Sequence, residues 1–346
     1  MSSENAPNSA PAAAILSQLL RGSLVTQLLH VAATLGLADL LRVGPKSSHE
    51  LAAAIRADPE ALYRVLRALS GLGIFAETMP GTFGLTPLAE PLRSDVPGSL
   101  LGSAVLYGTP WWWQACGELL HSVKTGQPAF DHVHGQALFA YLDSASEAAA
   151  VFNDHQTSMT QQDASAVVAA YDFTEYRRVV DLGGGHGALA AAILKAGAQT
   201  TVVLFDQPTV VAGAPDRLRA QGVTDRWTCV AGDFFESVPV GGDAYVVKDI
   251  IHDWDDERAT TILHNCRVAM AHSPALKARL LVIEKVIPPG NAPFVGKMTD
   301  ITMLLVTGGR ERTAEEYQAL LAKAGFTVKR VIPTRSPASV IEAGLA

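Results

Sequence analysis

Residues 179–195 read VVDLGGGHGALAAAILK. The apolar run RRVVDL (177–182) ends in an acid. Three alternating glycines follow, Gly183, Gly185 and Gly187, and then a segment of helical character. Glycine tolerates backbone conformations that side chains resist and lets a ligand approach the main chain closely. A strand, a glycine turn and a helix in this order therefore make a nucleotide cradle at the carboxyl end of a first strand. The residues Gly183, Gly185 and Ala188 also satisfy the dinucleotide pattern GxGxxA, so the loop by itself leaves two cofactor classes open.

Outward from this loop, short apolar runs alternate with helical stretches: TTVVLFD (200–206), RWTCVAGD (226–233), DAYVVKD (243–249) and RLLVIEK (279–285). Continuous Val/Ile/Leu runs mark strands buried on both faces, hence a parallel, doubly wound sheet. After the helix AEEYQALLAKAGF (314–326), with Gly325 as its stop, come FTVKRVIP (326–333) and SVIEA (339–343). The linker TRSP has no room for a helix, so the sheet ends in an antiparallel hairpin. These features predict a Rossmann-like α/β domain over residues 166–346.

Three acids narrow the choice of cofactor. Asp181 stands two residues before the first glycine, where a carboxylate can orient the loop and reach a cofactor amino group. Asp206, at the end of the second strand, suits a ribose diol, a device that nicotinamide sites share. In GDFF (232–235), Asp233 can accept from an adenine amino group while Phe234 packs on the ring. Acid, glycine loop, acid and Gly-Asp-aromatic together point to S-adenosylmethionine, with S-adenosylhomocysteine as product. The terminal hairpin agrees, since methyltransferase sheets end that way.

The N-terminal half reads as helical. LLRGSLVTQLLHVAATLGLADLL (19–41) is apolar almost all round, with Gly36 near a helix stop. Such a helix must be covered on most faces, and a second subunit is the simplest cover, so a homodimer through this domain is expected. Residues 47–75 give two helices. Ser48 caps the first, Asp58-Pro59 opens the second, and Gly71 and Gly73 end it. A hairpin around Pro80-Gly81 completes the outline of a winged helix. Residues 15–165 are thus expected to form a mainly helical, winged-helix-like dimerisation and lid domain, behind a disordered tail at 1–14.

Composition excludes several classes. The chain has 346 residues, 18% of them charged, and a net charge of −7, which argues against a polyanion or an anionic membrane as partner. Residues 42–93 carry six basic side chains (Arg42, Lys46, Arg56, Arg64, Arg67, Arg93) against five acids (Glu50, Asp58, Glu60, Glu77, Glu90), no surface for tracking phosphates. Cys116, Cys229 and Cys266 are scattered and odd in number, which fits a reducing cytoplasm. The N-terminus lacks a basic region and carries Glu4, unlike a signal peptide. The uncharged stretch Val96–Gly117 contains Pro97, Pro110 and four glycines, which break a spanning helix.

The strings DLGGGHG (181–187), FDQP (205–208), GDFFE (232–236), KDIIHDWDDE (248–257), IEKVIPP (283–289) and GGRERTAEEY (308–317) together resemble the plant-type, caffeic-acid-like small-molecule O-methyltransferases, including bacterial members of antibiotic and pigment pathways. The resemblance covers residues 15–345. It implies His252 as the base that deprotonates a phenolic hydroxyl, Glu284 and Glu311 as its braces, and Asp253 beside it. It also implies a cofactor set of Asp181, Gly183, Gly184, Gly185, Asp206, Gln207, Asp233, Phe234 and Lys248. Phe152, Gln156, Met159, Met303 and the loop at Val306–Thr307 fall where the family lines its acceptor pocket, with Trp113 and Phe139 as further candidates. The chain departs from the family at Gln156, where methionine is common, and at Met159, where the plant enzymes place histidine. Acceptor and methylation position stay open.

No metal is expected. The acids of HDWDDE are consecutive rather than spaced as a helical ligand pair, and Asp255, Asp256 and Glu257 suit the N-terminus of the next helix. DHVH (131–134), with His121 nearby, could be imagined as a metal cluster, but the resemblance implies a turn beside the active site there. The competing functions are N-methylation or drifted hydroxylase or decarboxylase chemistry on the same fold. More remote are a nicotinamide oxidoreductase and a DNA-binding regulator.

Overall fold

The computed structural model describes residues 11–223, 225–273 and 278–346. The chain divides into two compact units, Met1–Trp113 and Gln114–Ala346.

In the first unit, helices Ala12–Leu20, Gly22–Thr34 and Leu37–Leu40 break at Arg21 and at Gly36, which takes a left-handed φ of 63°. The expected tail at 1–14 needs correcting at its end, since Ala12–Ala14 are helical; residues 1–10 lie outside the described ones. Helices Ser48–Ile55 and Pro59–Gly71 follow. The first is capped by Ser47, not Ser48: the Ser47 Oγ accepts from the Glu50 amide at 3.2 Å, and the Ser47 amide donates to Glu50 Oε2 at 2.7 Å. This reciprocal pair satisfies two amides that a helix start leaves open. Asp58 caps the second helix at 2.7 Å from the Ala61 amide, with Pro59 at the first helical position. Strands β1 (Lys46–Ser47), β2 (Phe75–Met79) and β3 (Thr82–Leu85) pair antiparallel in the order β1-β3-β2, completing a winged-helix arrangement.

The second unit holds β4 (Arg178–Leu182), β5 (Thr201–Asp206), β6 (Trp227–Ala231), β7 (Ala244–Lys248), β8 (Arg279–Glu284), β9 (Phe326–Pro333) and β10 (Ser339–Leu345). They form one sheet ordered β6-β5-β4-β7-β8-β10-β9, parallel except that β10 runs antiparallel to both its neighbours. Side chains alternate between two cores. Val180, Leu182, Leu280 and Val282 pack with Ile262, Leu263 and Leu320 on one face. Val179, Leu281 and Ile283 pack with Leu189, Ile193 and Leu218 on the other. Both faces are covered, which explains the unbroken apolar strands.

The unit boundary lies at 113/114, not at the expected 165/166. The change of pattern near 165 marks a change of element type. Helix Ser146–Ala170 places Ala164 and Val167 in the core beneath β4 and β5, so it belongs with the sheet. Among the described residues no single helix is long and apolar enough to cross a membrane.

Candidate active site

The strand order reverses at β4, and the carboxyl ends of β4 to β7 open there into a cavity of about 520 Å³. Ligands of open α/β sheets bind at such a switch point. Gly183, Gly184, Gly185, Asp206, Gln207, Asp233, Phe234 and Lys248 line one part of it. Phe139, Phe152, Gln156, Asp253 and Trp254 line another.

The glycine loop is fastened from both sides. The Gly185 amide donates to Asp206 Oδ2 at 2.8 Å, and Asp206 Oδ1 accepts from the Gln207 amide at 2.7 Å. A Cβ on Gly184 would lie 2.8 Å from Asp181 Oδ2, so the chain passes too close to that carboxylate for any side chain. Asp181 is 1% exposed, and its Oδ2 has no hydrogen-bond partner. Burial pushes its pKa up to about 7, with Asp206 adding to the rise and Lys248 opposing it. An unpartnered buried carboxylate oxygen beside a side-chain-free loop fits the amino group of S-adenosylmethionine. Asp233 Oδ1 accepts from the Phe235 amide at 2.8 Å, which fixes the turn that presents Phe234.

The second centre is the turn after β7. Ile251–Asp253 form a single turn of 3₁₀-helix, held by Glu284 from the end of β8. Glu284 Oε1 accepts from the amides of Ile250, Ile251 and His252 at 3.2, 2.9 and 3.3 Å. Three successive amides converging on one oxygen make an anion nest. The His252 ring is 5% exposed, and its Nδ1 hydrogen goes to Glu311 Oε1 at 2.9 Å. Glu284 Oε2, at 3.3 Å from Nδ1, is an ion-pair contact without hydrogen-bond geometry. Nε2, 3.7 Å from Asp253 Oδ1, is the nitrogen left to exchange a proton. His252 itself does not line the cavity, but Ile250, Asp253 and Trp254 around it do. Burial disfavours its charged form, yet Glu284, Glu311 and Asp253 outweigh burial and push its pKa up to about 10.

Glu311 reaches His252 because of Gly309. A Cβ there would overlap the His252 carbonyl oxygen and the Asp253 backbone. The Arg310 amide donates to the His252 carbonyl at 2.8 Å, and the Glu311 amide to Asp300 Oδ1 at 2.9 Å. Arg312, fully buried, donates to the carbonyls of Ile251 and Trp254 at 3.1 and 3.0 Å.

Four contributors were not singled out in the sequence. Asp249, with a left-handed φ of 50°, is bound to Lys248 through Oδ2 and to Lys285 at 3.0 Å through Oδ1. Lys285 also lies 4.0 Å from Glu311 Oε1, and Asp163 lies 3.2 Å from Lys248. Trp254 stacks on Phe139 with ring centroids 5.5 Å apart. An acid-lysine step directly after an apolar strand, as in Glu284-Lys285, is a usable signal, because buried charges must pair. Asp163, in the middle of a helix, gives none.

Three expected pocket residues, Met159, Met303 and Trp113, are not among those that line this cavity. Met159 is off the cavity face because Phe152, Gln156 and Thr160 follow one stripe of helix Ser146–Ala170, whereas His155, Met159 and Asp163 follow the next. Met303 is a buried residue of helix Gly296–Val306. The loop at Val306–Thr307 does not line the cavity either. Asp249, His252 and Glu284 present possible ligand atoms within 4.8 Å of one another. Asp249 is already shared by two ammonium groups, and Glu284 Oε1 by three amides.

The O-methyltransferase domain model matches residues 116–327, and the O-methyltransferase dimerisation domain model matches residues 17–95. Phenazine O-methyltransferase PhzM of Lysobacter antibioticus is 45% identical over 99% of each chain. The crystal structure of LaPhzM has a TM-score of 0.93 at 45% identity, covering 97% of this chain and 100% of that one. NcsB1 from neocarzinostatin biosynthesis, solved with S-adenosylmethionine and 2-hydroxy-5-methyl naphthoic acid, has a TM-score of 0.78 at 31% identity, covering 93% and 96%. The glycine loop that also fits a dinucleotide pattern is thus a methyltransferase loop, and the chain belongs to the S-adenosylmethionine-dependent O-methyltransferases of the plant-type small-molecule family, with that family's dimerisation domain at its N-terminus.

Proposed function

We propose that this enzyme methylates a hydroxyl group on an aromatic small molecule of secondary metabolism, with His252 as general base. The observation that carries the reading is the orientation of His252: Nδ1 is committed to Glu311, which leaves Nε2 as the nitrogen that can exchange a proton, in a turn whose flanking residues line the cavity. S-adenosylmethionine supplies, when bound, an electrophilic methyl group on a cationic sulfur. Asp181, the Gly183–Gly185 loop, Asp206, Gln207, Asp233 and Phe234 would hold it. Lys248 acts through Asp163 and Asp249, whose charges it balances. Phe139, Phe152 and Trp254 offer flat apolar faces to an aromatic ring. His252 Nε2 takes the hydroxyl proton, and Glu311, Glu284 and Asp253 stabilise the imidazolium that results.

The chemistry proposed is metal-free, because the one grouped set of possible ligands among the described residues already spends two of its three members on lysines and amides. A homodimer formed through the N-terminal unit and a cytoplasmic setting, in keeping with three free cysteines, complete the proposal. Incubation with methyl-labelled S-adenosylmethionine and a panel of phenols and aromatic amines tests it, with the product position read by mass and NMR. Label on oxygen supports it. Label on nitrogen only, or full turnover by His252→Ala, refutes the assigned chemistry.

A further inference from the structure

The charges around the cavity discriminate among aromatic acceptors. Besides Lys248, no lysine or arginine lines it among the described residues, whereas Asp143, Asp206, Asp233, Asp249 and Asp253 do. Lys248 is buried between Asp163 and Asp249 and cannot turn toward a ligand without abandoning both. Behind the wall, Glu284 and Glu311 add two more buried carboxylates. In this connected cluster Asp163, Asp249, Asp253, Glu284 and Glu311 surround Lys248, Lys285 and His252, so each of its cations already has a carboxylate partner. Burial, and then Lys285, depress His155 to about 4; burial, and then Arg217, depress His186, which lines the cavity and contacts Thr157 Oγ1 at 3.1 Å. Both shifts favour the neutral imidazole. Arg217, whose charge reaches His186, is paired with Asp154 at 2.8 Å, and the Arg258 guanidinium sits over the Trp254 ring, 5.6 Å from its centroid.

The acceptor wall otherwise offers Phe139, Leu142, Phe152 and Trp254 with the neutral amides of Asn153 and Gln156. A second anion on the acceptor would lose its hydration there and meet like charges without a partner. A neutral ring meets neither penalty.

We infer that this enzyme selects hydroxylated aromatic acceptors that carry no carboxylate, and that the wall formed by Phe139, Asn153, Gln156, Asp253 and Trp254, which itself contains no lysine or arginine, enforces the choice. The inference rests on the aromatic-acceptor reading and names the charge class within it.

The test uses three probes on one ring: a hydroxynaphthalene, the corresponding hydroxynaphthoate and its carboxamide. Their affinities for the full-length protein loaded with S-adenosylhomocysteine are measured at pH 8 by tryptophan fluorescence, and turnover is measured in parallel with S-adenosylmethionine. The carboxamide and the unsubstituted probe should bind at least about 30-fold more tightly than the carboxylate, an order-of-magnitude expectation for an unpaired anion in a partly buried site. Gln156→Lys, which places a cation in the wall, should narrow that gap about tenfold or reverse it, whereas Gln156→Met should leave it unchanged. Equal binding of carboxylate and carboxamide to the wild-type protein overturns the inference while leaving methyl transfer to aromatics intact. Failure of all three to bind overturns the inference together with the aromatic-acceptor reading. If Gln156→Lys does not fold, the wild-type ratio alone decides.

Discussion

A base must be neutral before it can take a proton, and His252 is surrounded by carboxylates that favour its cation. With its pKa pushed up to about 10 by Glu284, Glu311 and Asp253 against the effect of burial, the imidazole is charged at neutral pH in the protein alone. The cationic sulfur of bound S-adenosylmethionine acts in the opposite sense, since a nearby like charge disfavours the imidazolium. The ascending limb of kcat against pH should therefore fall between the ordinary histidine value of about 6.5 and 10. Glu311→Gln removes the carboxylate 2.9 Å from Nδ1, so that limb should move to lower pH while the plateau drops by roughly tenfold to a hundredfold. A limb that stays in place would separate Glu311 from the proton transfer. Lys285 supplies a test of opposite sign. Lys285→Met leaves Asp249 and Glu311 short of a cation, the cluster holds its proton more tightly, and the limb should move to higher pH. Lys285→Arg should restore it. His252→Ala should lose about 10² to 10⁴ in kcat while its affinity for S-adenosylhomocysteine stays within about threefold of wild type, as calorimetry can show.

At the scale of elements, the strands and most helices could be read from the sequence because each is written many times over. β4, β5, β7 and β8 are runs of side chains that must all be buried, and Asp58-Pro59 and Asp255 mark helix starts by their local hydrogen bonds. What failed was short-range or three-dimensional. Ser47 and Ser48 are equivalent as letters, and only the return bond from Glu50 selects the first. Met159 and Gln156 are three residues apart on one helix, and only its rotation about the sheet tells which faces the cavity. Asp249, Lys285 and Asp163 meet from three elements, so no contiguous pattern announces them. The Gly308-Gly309 turn belongs to the legible class, and the structure gives it a steric cause. Gly309→Ala forces the loop off the His252 carbonyl, carrying Glu311 away from Nδ1. Activity should fall to near the level of Glu311→Gln, with a loss of about 1–3 kcal/mol in unfolding free energy from overpacking. A fully active Gly309→Ala enzyme would show that the loop relaxes without moving the glutamate.

On the scale of the whole molecule, the start of the first unit exposes a cluster of large apolar side chains. Ile15, Leu16, Leu19, Leu20 and Leu24 lie on two consecutive helical segments, and Leu19 and Leu20 are 70% and 75% exposed. Single exposed leucines are ordinary, but a run of five within ten residues is the surface that association covers. The dimerisation domain model spans residues 17–95 and so includes part of this face. A homodimer that buried it twice, once per subunit, would link stability to protein concentration, because a partner that binds only the folded state stabilises it by mass action. The melting temperature of the wild-type protein should therefore rise with concentration across the micromolar range. Leu16→Lys combined with Leu20→Lys places four ammonium groups in the dimer seam, each without a counter-charge and stripped of water. Sedimentation velocity at micromolar concentration should then show a monomer where the wild-type chain sediments as a dimer, and the concentration dependence of melting should vanish. A double variant that still sediments as a dimer would move the interface off this face, and the exposed leucines would then need a different partner.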